Sequence, residues 1–214
     1  MNLAVAVCGC DKYSFVWNGW YHYFKKYWNI DCPIYFLNEE KNINFPGIQQ
    51  IKVNIPDVNI WTKRVRESIK QIPEDNIFFL LEDMFLNKQF EKKEFERIYN
   101  AFEIINADAL RIKDIAYFYT VHDTKFFVNG VNLKKFDPFS EYLISYSPNI
   151  WKKSFLLECI KHDESPWYSE VTRSAKMRGG DYNIYIYEKL DWFVNVLLRG
   201  KVIAEGQKLI NAIK

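Results

Sequence analysis

The sequence predicts one α/β domain, a mainly parallel central sheet flanked by helices and followed by an irregular second half. Three observations carry that prediction. The run Ile77-Phe78-Phe79-Leu80-Leu81 has no polar break, the pattern of a strand buried on both faces within a parallel sheet. Strand-like and helix-like segments alternate through the first half, as a sheet with helical crossovers requires. Beyond about residue 113 the alternation stops and helix signals become sparse.

Taken in order, residues 3–7 are apolar and read as the first strand, ended by the turn-like Cys8-Gly9-Cys10-Asp11. The segment from Phe15 to Trp28 is aromatic at helical spacing, with Trp17, Tyr21, Phe24 and Trp28 on one side. Residues 33–37 and 48–53 follow as strands. Trp61, Val65, Ile69 and Ile72 fall at spacings of four, four and three, which predicts a helix that Pro73-Glu74-Asp75-Asn76 stops. After the 77–81 strand, a helix from about Lys88 would bury Phe95, Ile98, Phe102 and Ile105, and residues 109–112 return as a strand. In the second half, residues 126–131 and 142–146 read as strands, 151–160 as a short helix and 162–167 as a polar loop. Residues 187–198 read as a helix with Leu190, Phe193, Val194 and Leu197 inward, and 202–204 as a last short strand. No linker divides the 214 residues, so the chain is one domain, with a donor-type half over about 1–113 and an acceptor-type half over about 114–214.

Composition narrows the function. Apolar residues make up 49% of the chain, which argues against disorder. The aromatic share is 18%, and Tyr and Trp suit sites that stack on a base or a sugar. A net charge of +2 gives no reason to expect a nucleic-acid partner. Cys8-Gly9-Cys10 is too tight for a zinc knuckle and has no second pair. Met1-Asn2-Leu3 runs straight into a strand, with no secretory leader, and no apolar run approaches the roughly 20 residues of a membrane helix. The expectation is a cytoplasmic protein with free thiols and no transmembrane segment, peripheral membrane contact being left open.

Four constellations could carry chemistry. Glu82 and Asp83 stand at the carboxyl end of the 77–81 strand, where open α/β sheets bind ligands, and carboxylates there can hold a divalent cation and through it a diphosphate. An acidic loop leaving a strand is the plainer explanation of that pair taken alone. The turn Cys8-Gly9-Cys10-Asp11-Lys12-Tyr13 could meet a nucleoside: Asp11 accepts from ribose or base, Tyr13 stacks. Equally, Asp11 could cap the next helix. The turn has neither a dinucleotide fingerprint nor a Walker loop, which sets aside dinucleotide cofactors and ATPases. Trp61-Thr62-Lys63-Arg64-Val65-Arg66 places cations at a helix start, where phosphates bind; Lys63 and Arg66 share a side and read as a solvated basic face. Ser165-Pro166-Trp167-Tyr168-Ser169-Glu170 offers an acid beside aromatic rings, the make-up of a sugar-acceptor site. Alone, Trp167 would more simply be core and Glu170 surface. The three histidines sit in no metal-ligand or nucleophile motif.

In this order the signals resemble the small GT-A-type glycosyltransferases of bacterial surface-polysaccharide clusters and large DNA viruses. The matching pieces are C-D-x-Y at Cys10-Asp11-Lys12-Tyr13 followed by Trp17, W-[ST]-x-R at Trp61-Thr62-Lys63-Arg64, and the acid pair with a Phe at Glu82-Asp83-Met84-Phe85. P-x-I-W at Pro148-Asn149-Ile150-Trp151 and the segment from Ser165-Pro166-Trp167 to Glu170 complete the set. The resemblance spans residues 3–170. It implies transfer of a sugar, UDP-linked by default, from a nucleotide-sugar donor to a glycan or glycolipid acceptor, assisted by Mn²⁺ or Mg²⁺. It further implies that Cys10, Asp11, Tyr13, Trp61, Arg64 and Glu82 bind the nucleotide sugar and that Asp83 holds the metal. Glu170 would be the base of an inverting reaction, and Trp167 would meet the acceptor. One departure weakens metal binding: Met84 stands where a D-x-D motif has its second acid, and a thioether is a poor ligand for a hard cation. Two competing functions are a sugar nucleotidyltransferase, which usually needs a Gly-rich basic loop that Cys8-Gly9-Cys10-Asp11 lacks, and a non-catalytic carbohydrate- or protein-binding module with a decayed site, for which Met84 speaks.

Overall fold

A computed structural model describes residues 1–112, 121–187 and 192–213, with the backbone alone for 121–125. Its elements are β1 (Leu3–Cys8), α1 (Ser14–Tyr27), β2 (Ile34–Asn38), β3 (Gln49–Lys52), α2 (Trp61–Ile69), β4 (Asn76–Leu81), β5 (Met84–Leu86), α3 (Lys92–Ile104) and β6 (Ala109–Arg111). There follow β7 (Val121–Val128), β8 (Val131–Phe136), β9 (Asn149–Lys152), α4 (Lys153–Cys159), α5 (Pro166–Met177), β10 (Ile184–Ile186), β11 (Phe193–Asn195), β12 (Leu197–Leu198), β13 (Lys201–Val202) and α6 (Ala204–Asn211).

Among the described residues, nine strands form one mixed, mostly parallel sheet in the order β3-β2-β1-β4-β9-β6-β10-β8-β7. β1 to β4 are mutually parallel, while β9 runs antiparallel between β4 and β6. Alternate residues of β1 separate two cores, as the period of two demands. Leu3, Val5 and Val7 face a layer that contains Trp17, Trp20 and Phe24 of α1 and Phe95, Ile98 and Phe102 of α3. Ala4, Ala6 and Cys8 face a layer with Trp61, Val65 and Ile69 of α2, Leu156 of α4 and Met177 of α5. The fully buried Phe78 and Phe79 lie in opposite layers, so the unbroken apolar run is a strand covered on both faces.

The first half matches its periodicity closely; the second half corrects it in several places. Residues 149–152 are a strand, not the start of a helix. Lodged between β4 and β6, β9 has both edges bonded, and the helix begins only at Lys153. Residues 142–146 form a turn, two bends and irregular chain rather than a strand. Their backbone donors are met by side chains instead, Ile144 N–H by Ser174 Oγ at 3.0 Å and Tyr146 N–H by Glu170 Oε1 at 2.6 Å. The expected single strand over 126–131 is a hairpin of β7 and β8, turned by Asn129 and Gly130 at φ of 51° and 77°. The expected loop over 162–167 runs into α5, which Ser165 caps and Pro166 opens.

The expected helix over 187–198 is overturned where it is described. Residues 193–195 form β11, antiparallel to β5, and 197–198 and 201–202 pair as a small hairpin. Leu190 lies outside the described residues, as does the expected boundary at 113 and 114. Strand pairing with β5, and the packing of Trp192 and Phe193 on Phe90, win over an apparent helical period. Only Val202 of the expected 202–204 strand is in one; α6 follows, and Tyr23 O–H donates to Leu209 C=O at 3.0 Å to tie it to α1.

Candidate active site at the carboxyl edge of the sheet

β1 leads through α1 to β2 on one side, while β4 pairs with β1 on the other. The sheet therefore changes direction of winding between β1 and β4, and a crevice forms beyond the carboxyl ends of such strands. The turn after β1 and the turn after β4 meet there. Glu82 N–H donates to Cys8 C=O at 3.3 Å, and Cys10 N–H donates to Glu82 Oε1 at 3.0 Å. Gly9 is required in this joint, because a Cβ there would lie 2.5 Å from the Phe36 ring.

Glu39, at the end of β2, completes the junction. Its Oε1 lies 2.5 Å from Arg64 Nη1, and its Oε2 accepts Asp11 N–H at 2.6 Å. Arg64 also donates to Gly9 C=O at 2.7 Å. Arg64 is 3% exposed and Glu39 4%, so this is a buried ion pair. The expectation of Arg64 as a cation held open for phosphate changes: its guanidinium is committed to Glu39 and to the β1 turn. Sequence reading missed Glu39, although the signal existed, since Asn38-Glu39 ends a parallel strand just as Leu81-Glu82 does.

The other expected residues divide by burial. The Asp11 carboxylate does not cap α1; it accepts from Asn38 Nδ2 at 2.8 Å and from the backbone N–H groups of Glu40 at 3.0 Å and Lys41 at 2.8 Å. Desolvation opposes ionisation there, but these hydrogen bonds prevail and hold the carboxyl below its ordinary range. Cys10 and Tyr13 are half-exposed at the same turn. Trp61 is buried against Tyr146, with ring centroids 5.0 Å apart, and serves packing. Glu82 is 6% exposed; burial first, then the neighbouring Asp83, pushes its carboxyl up to about 8. Asp83 is half-buried in the β4–β5 turn. Met84 is buried in the core beyond it.

For a divalent cation, no cluster of three His, Cys, Asp or Glu converges among the described residues. Glu82 points its carboxylate at Cys10 N–H, which leaves Asp83 as the residue that could hold a hard cation. One carboxylate is enough where phosphate oxygens and water supply the other ligands.

The acceptor-side segment lies against α2. Thr62 Oγ1 donates to His162 C=O at 2.5 Å and accepts Glu164 N–H at 2.7 Å, which joins the start of α2 to the loop before α5. Asp163 pairs with Arg66 at 2.8 Å, and Glu164 with Arg173 at 3.4 Å. Lys63 is half-exposed, as expected of a solvated face, but Arg66 is held by Asp163 and by Ile160 C=O at 2.9 Å and joins α2 to this loop. Glu170 is half-buried and accepts Tyr146 N–H; desolvation raises its carboxyl, opposed by the hydrogen bonds from Tyr146 and Ser145. Trp167 is 65% exposed, and Tyr168 and Val171 of the same helix are exposed beside it.

No protein-family model matches this sequence, and no curated protein matches it. Solved structures do. The chain resembles TarS of S. aureus in fold. A crystal structure of TarS superposes with a TM-score of 0.59 at 10% identity, covering 90% of this chain and 36% of that one. TarS 1-349 in complex with UDP gives 0.59 at 10% identity, over 90% of this chain and 60% of that one. TarS 1-349 in complex with UDP-GlcNAc gives 0.61 at 10% identity, over 94% and 60%. This chain therefore spans no more than 60% of the TarS chains it matches. The likeness establishes the fold expected from the sequence, a GT-A-like α/β domain with a mostly parallel central sheet.

Proposed function

We propose that this chain is a nucleotide-sugar-dependent glycosyltransferase that moves a sugar from a UDP-sugar to a hydroxyl of a glycan or glycolipid acceptor, with inversion. The observation that carries the reading is the interlocked pair of turns at the switch point, Gly9–Asp11 and Glu82–Asp83, buttressed by Glu39 and Arg64. Its fold neighbour TarS, a GT-A-like glycosyltransferase, is known with UDP and with UDP-GlcNAc. The four cysteines are free thiols, in keeping with a cytoplasmic setting, and no helix among the described residues is long and apolar enough to cross a membrane.

In this reading Cys10, Asp11 and Tyr13 border the nucleoside. Glu82, Glu39 and Arg64 hold the two turns in register. Asp83 is the ligand for Mn²⁺ or Mg²⁺, which when bound would neutralise charge on the diphosphate. Glu170 takes the proton from the acceptor hydroxyl. That oxygen bonds to the anomeric carbon from the face opposite UDP, the carbon–oxygen bond to the diphosphate breaks, and UDP leaves with the electron pair. Trp167 and Tyr168 offer ring faces to the acceptor sugar. The burial of Met84 bears on the competing idea of a decayed binding module: a methionine packed in the core is explained by packing and need not mark a lost ligand.

The test is turnover. Purified protein with Mn²⁺ and a panel of nucleotide sugars should release UDP from a UDP-sugar, faster when acceptor glycans are present. Binding of a glycan without any nucleotide-sugar cleavage would favour the non-catalytic module instead.

A further inference from the structure

The diphosphate of a nucleotide sugar needs cations, yet the cation expected for it, Arg64, is buried and paired with Glu39. Glu82 and Asp83 add acid to the same crevice. The structure offers another source. The hairpin of β12 and β13 starts beside the acid pair, where Val196 N–H donates to Asp83 C=O at 2.8 Å. It ends over the β1 turn, where a Cβ on Gly200 would stand 2.7 Å from the Tyr13 hydroxyl. Three residues lie between those two anchors, a span of at most about 13 Å. The hairpin thus runs from the acid turn to the side chain of Tyr13.

Its tip is basic and conformationally unusual. Arg199 and Gly200 have φ of 50° and 75°, a two-residue turn with both central residues left-handed. Such turns favour Asn, Asp or Gly at the first position, so an arginine there is held at a conformational cost. Arg199 and Lys201 are exposed, and neither side chain makes a hydrogen bond or ion pair to another described residue. Lys12 brings a third cation, with its Nζ 5.6 Å from the Tyr13 ring centroid. Leu198, also at the tip, is 65% exposed. The hairpin is fixed from behind: Ile203 N–H donates to Val196 C=O at 3.0 Å, and Gly206 of α6 packs directly on the Val196 backbone.

We propose that this hairpin is the diphosphate-binding element of the site, with Arg199 and Lys201, aided by Lys12, contacting the phosphate oxygens of the nucleotide sugar. It rests on the glycosyltransferase reading and adds binding residues that the sequence motifs do not include. An arginine is suited to the part because its planar fork can meet two phosphate oxygens at once.

The experiment is calorimetry with UDP, uridine and inorganic pyrophosphate, in Mn²⁺, on the wild type, Arg199→Asn and Arg199→Asn/Lys201→Gln. Asparagine suits the left-handed position, so the turn should persist while the charge is lost; an unchanged melting temperature checks this. The expected result is a UDP affinity lower by about 10- to 100-fold in the double variant, with uridine affinity unchanged. Arg199→Lys should recover part of the loss. Equal UDP affinity in the wild type and the double variant would overturn the hairpin's role while leaving the glycosyltransferase reading intact. Equal losses for uridine and UDP would also overturn it, since they mark a disturbed nucleoside turn. A wild type that binds neither UDP nor any nucleotide sugar would remove the reading and this inference together.

Discussion

Glu170 and Arg64 show how burial redirects a residue's role. Glu170 sits on α5 with one oxygen held by Tyr146 N–H, and desolvation raises its carboxyl above the ordinary 4.5. A base with a raised pKa takes up a proton more readily, but it is active only when deprotonated. The acid limb of a kcat–pH profile should therefore have its midpoint above 4.5, and activity should be lost as pH falls through it. Glu170→Gln should lower kcat by about 10²- to 10⁴-fold, with UDP affinity preserved. Near-normal turnover in that variant, or a product that retains the donor's anomeric configuration by NMR, would remove Glu170 as the base. Arg64 is a different case. Arg64→Ala leaves Glu39 as an uncompensated buried charge, and such losses cost about 3–5 kcal/mol. Urea unfolding should show that loss, with impaired binding following from a loosened β1 turn. A surface clamp would instead lose affinity at unchanged stability. Asp83→Asn should weaken UDP binding in Mn²⁺ and leave binding in EDTA little changed; equal affinities with Mn²⁺ would exclude Asp83 as the metal ligand.

Among the elements, those of the first half were legible because each carries its own signal. β1 and β4 are apolar runs, and α1, α2 and α3 have helical stripes with proline or polar stops. β9 and β11 are different, since both are short segments whose hydrogen bonds come from chain far away, β9 from β4 and β6, β11 from β5. Their Trp-containing runs satisfy helical and extended periods alike. Ser165-Pro166 and Asn129-Gly130 were readable signals, a helix start and a hairpin turn, passed over when 162–167 was read as a loop and 126–131 as a single strand. α6 acts at this scale on the site, because it backs the basic hairpin. A Cβ at Gly206 would meet the Val196 carbonyl oxygen at 2.6 Å and the rest of its backbone nearly as closely. Backbone cannot swing aside as a side chain can, so Gly206→Ala should destabilise by about 1–3 kcal/mol despite alanine's helix propensity. Hydrogen exchange should then rise in 197–211 and stay constant in β1 and β4; unaltered protection across 197–211 would contradict this packing.

At the scale of the whole molecule, the candidate site is a product of winding. The reversal between β1 and β4 sets the β1 turn and the β4 turn side by side, and α2 brings Arg64 between the ends of β1 and β2. A nucleotide bound across both turns stabilises the fold that creates them. UDP at about 100 times its Kd should add about 2.7 kcal/mol, visible as a rise in Tm that depends on UDP concentration. No rise at any concentration would mean that the crevice does not take UDP.

By itself the sequence determined the fold class and the order of the first-half elements from β1 to β6 apart from β5, and it pointed to the carboxyl edge of the sheet as the candidate ligand-binding edge. Apolar periodicity and acids at strand ends are local properties, readable without knowing what lies opposite. The chain also carried the pieces of the candidate site, Cys10, Asp11, Tyr13, Glu82, Asp83 and Glu170, in order. Only the tertiary structure decided which of them are held by others. It buried Arg64 against Glu39, turned Glu82 inward to Cys10 N–H, set Met84 in the core and brought Gly200 against Tyr13. The physical reason is that burial and pairing are decided by residues distant in sequence: Glu39 and Arg64, or Tyr13 and Gly200, meet only once the sheet has wound and α6 has closed behind the hairpin.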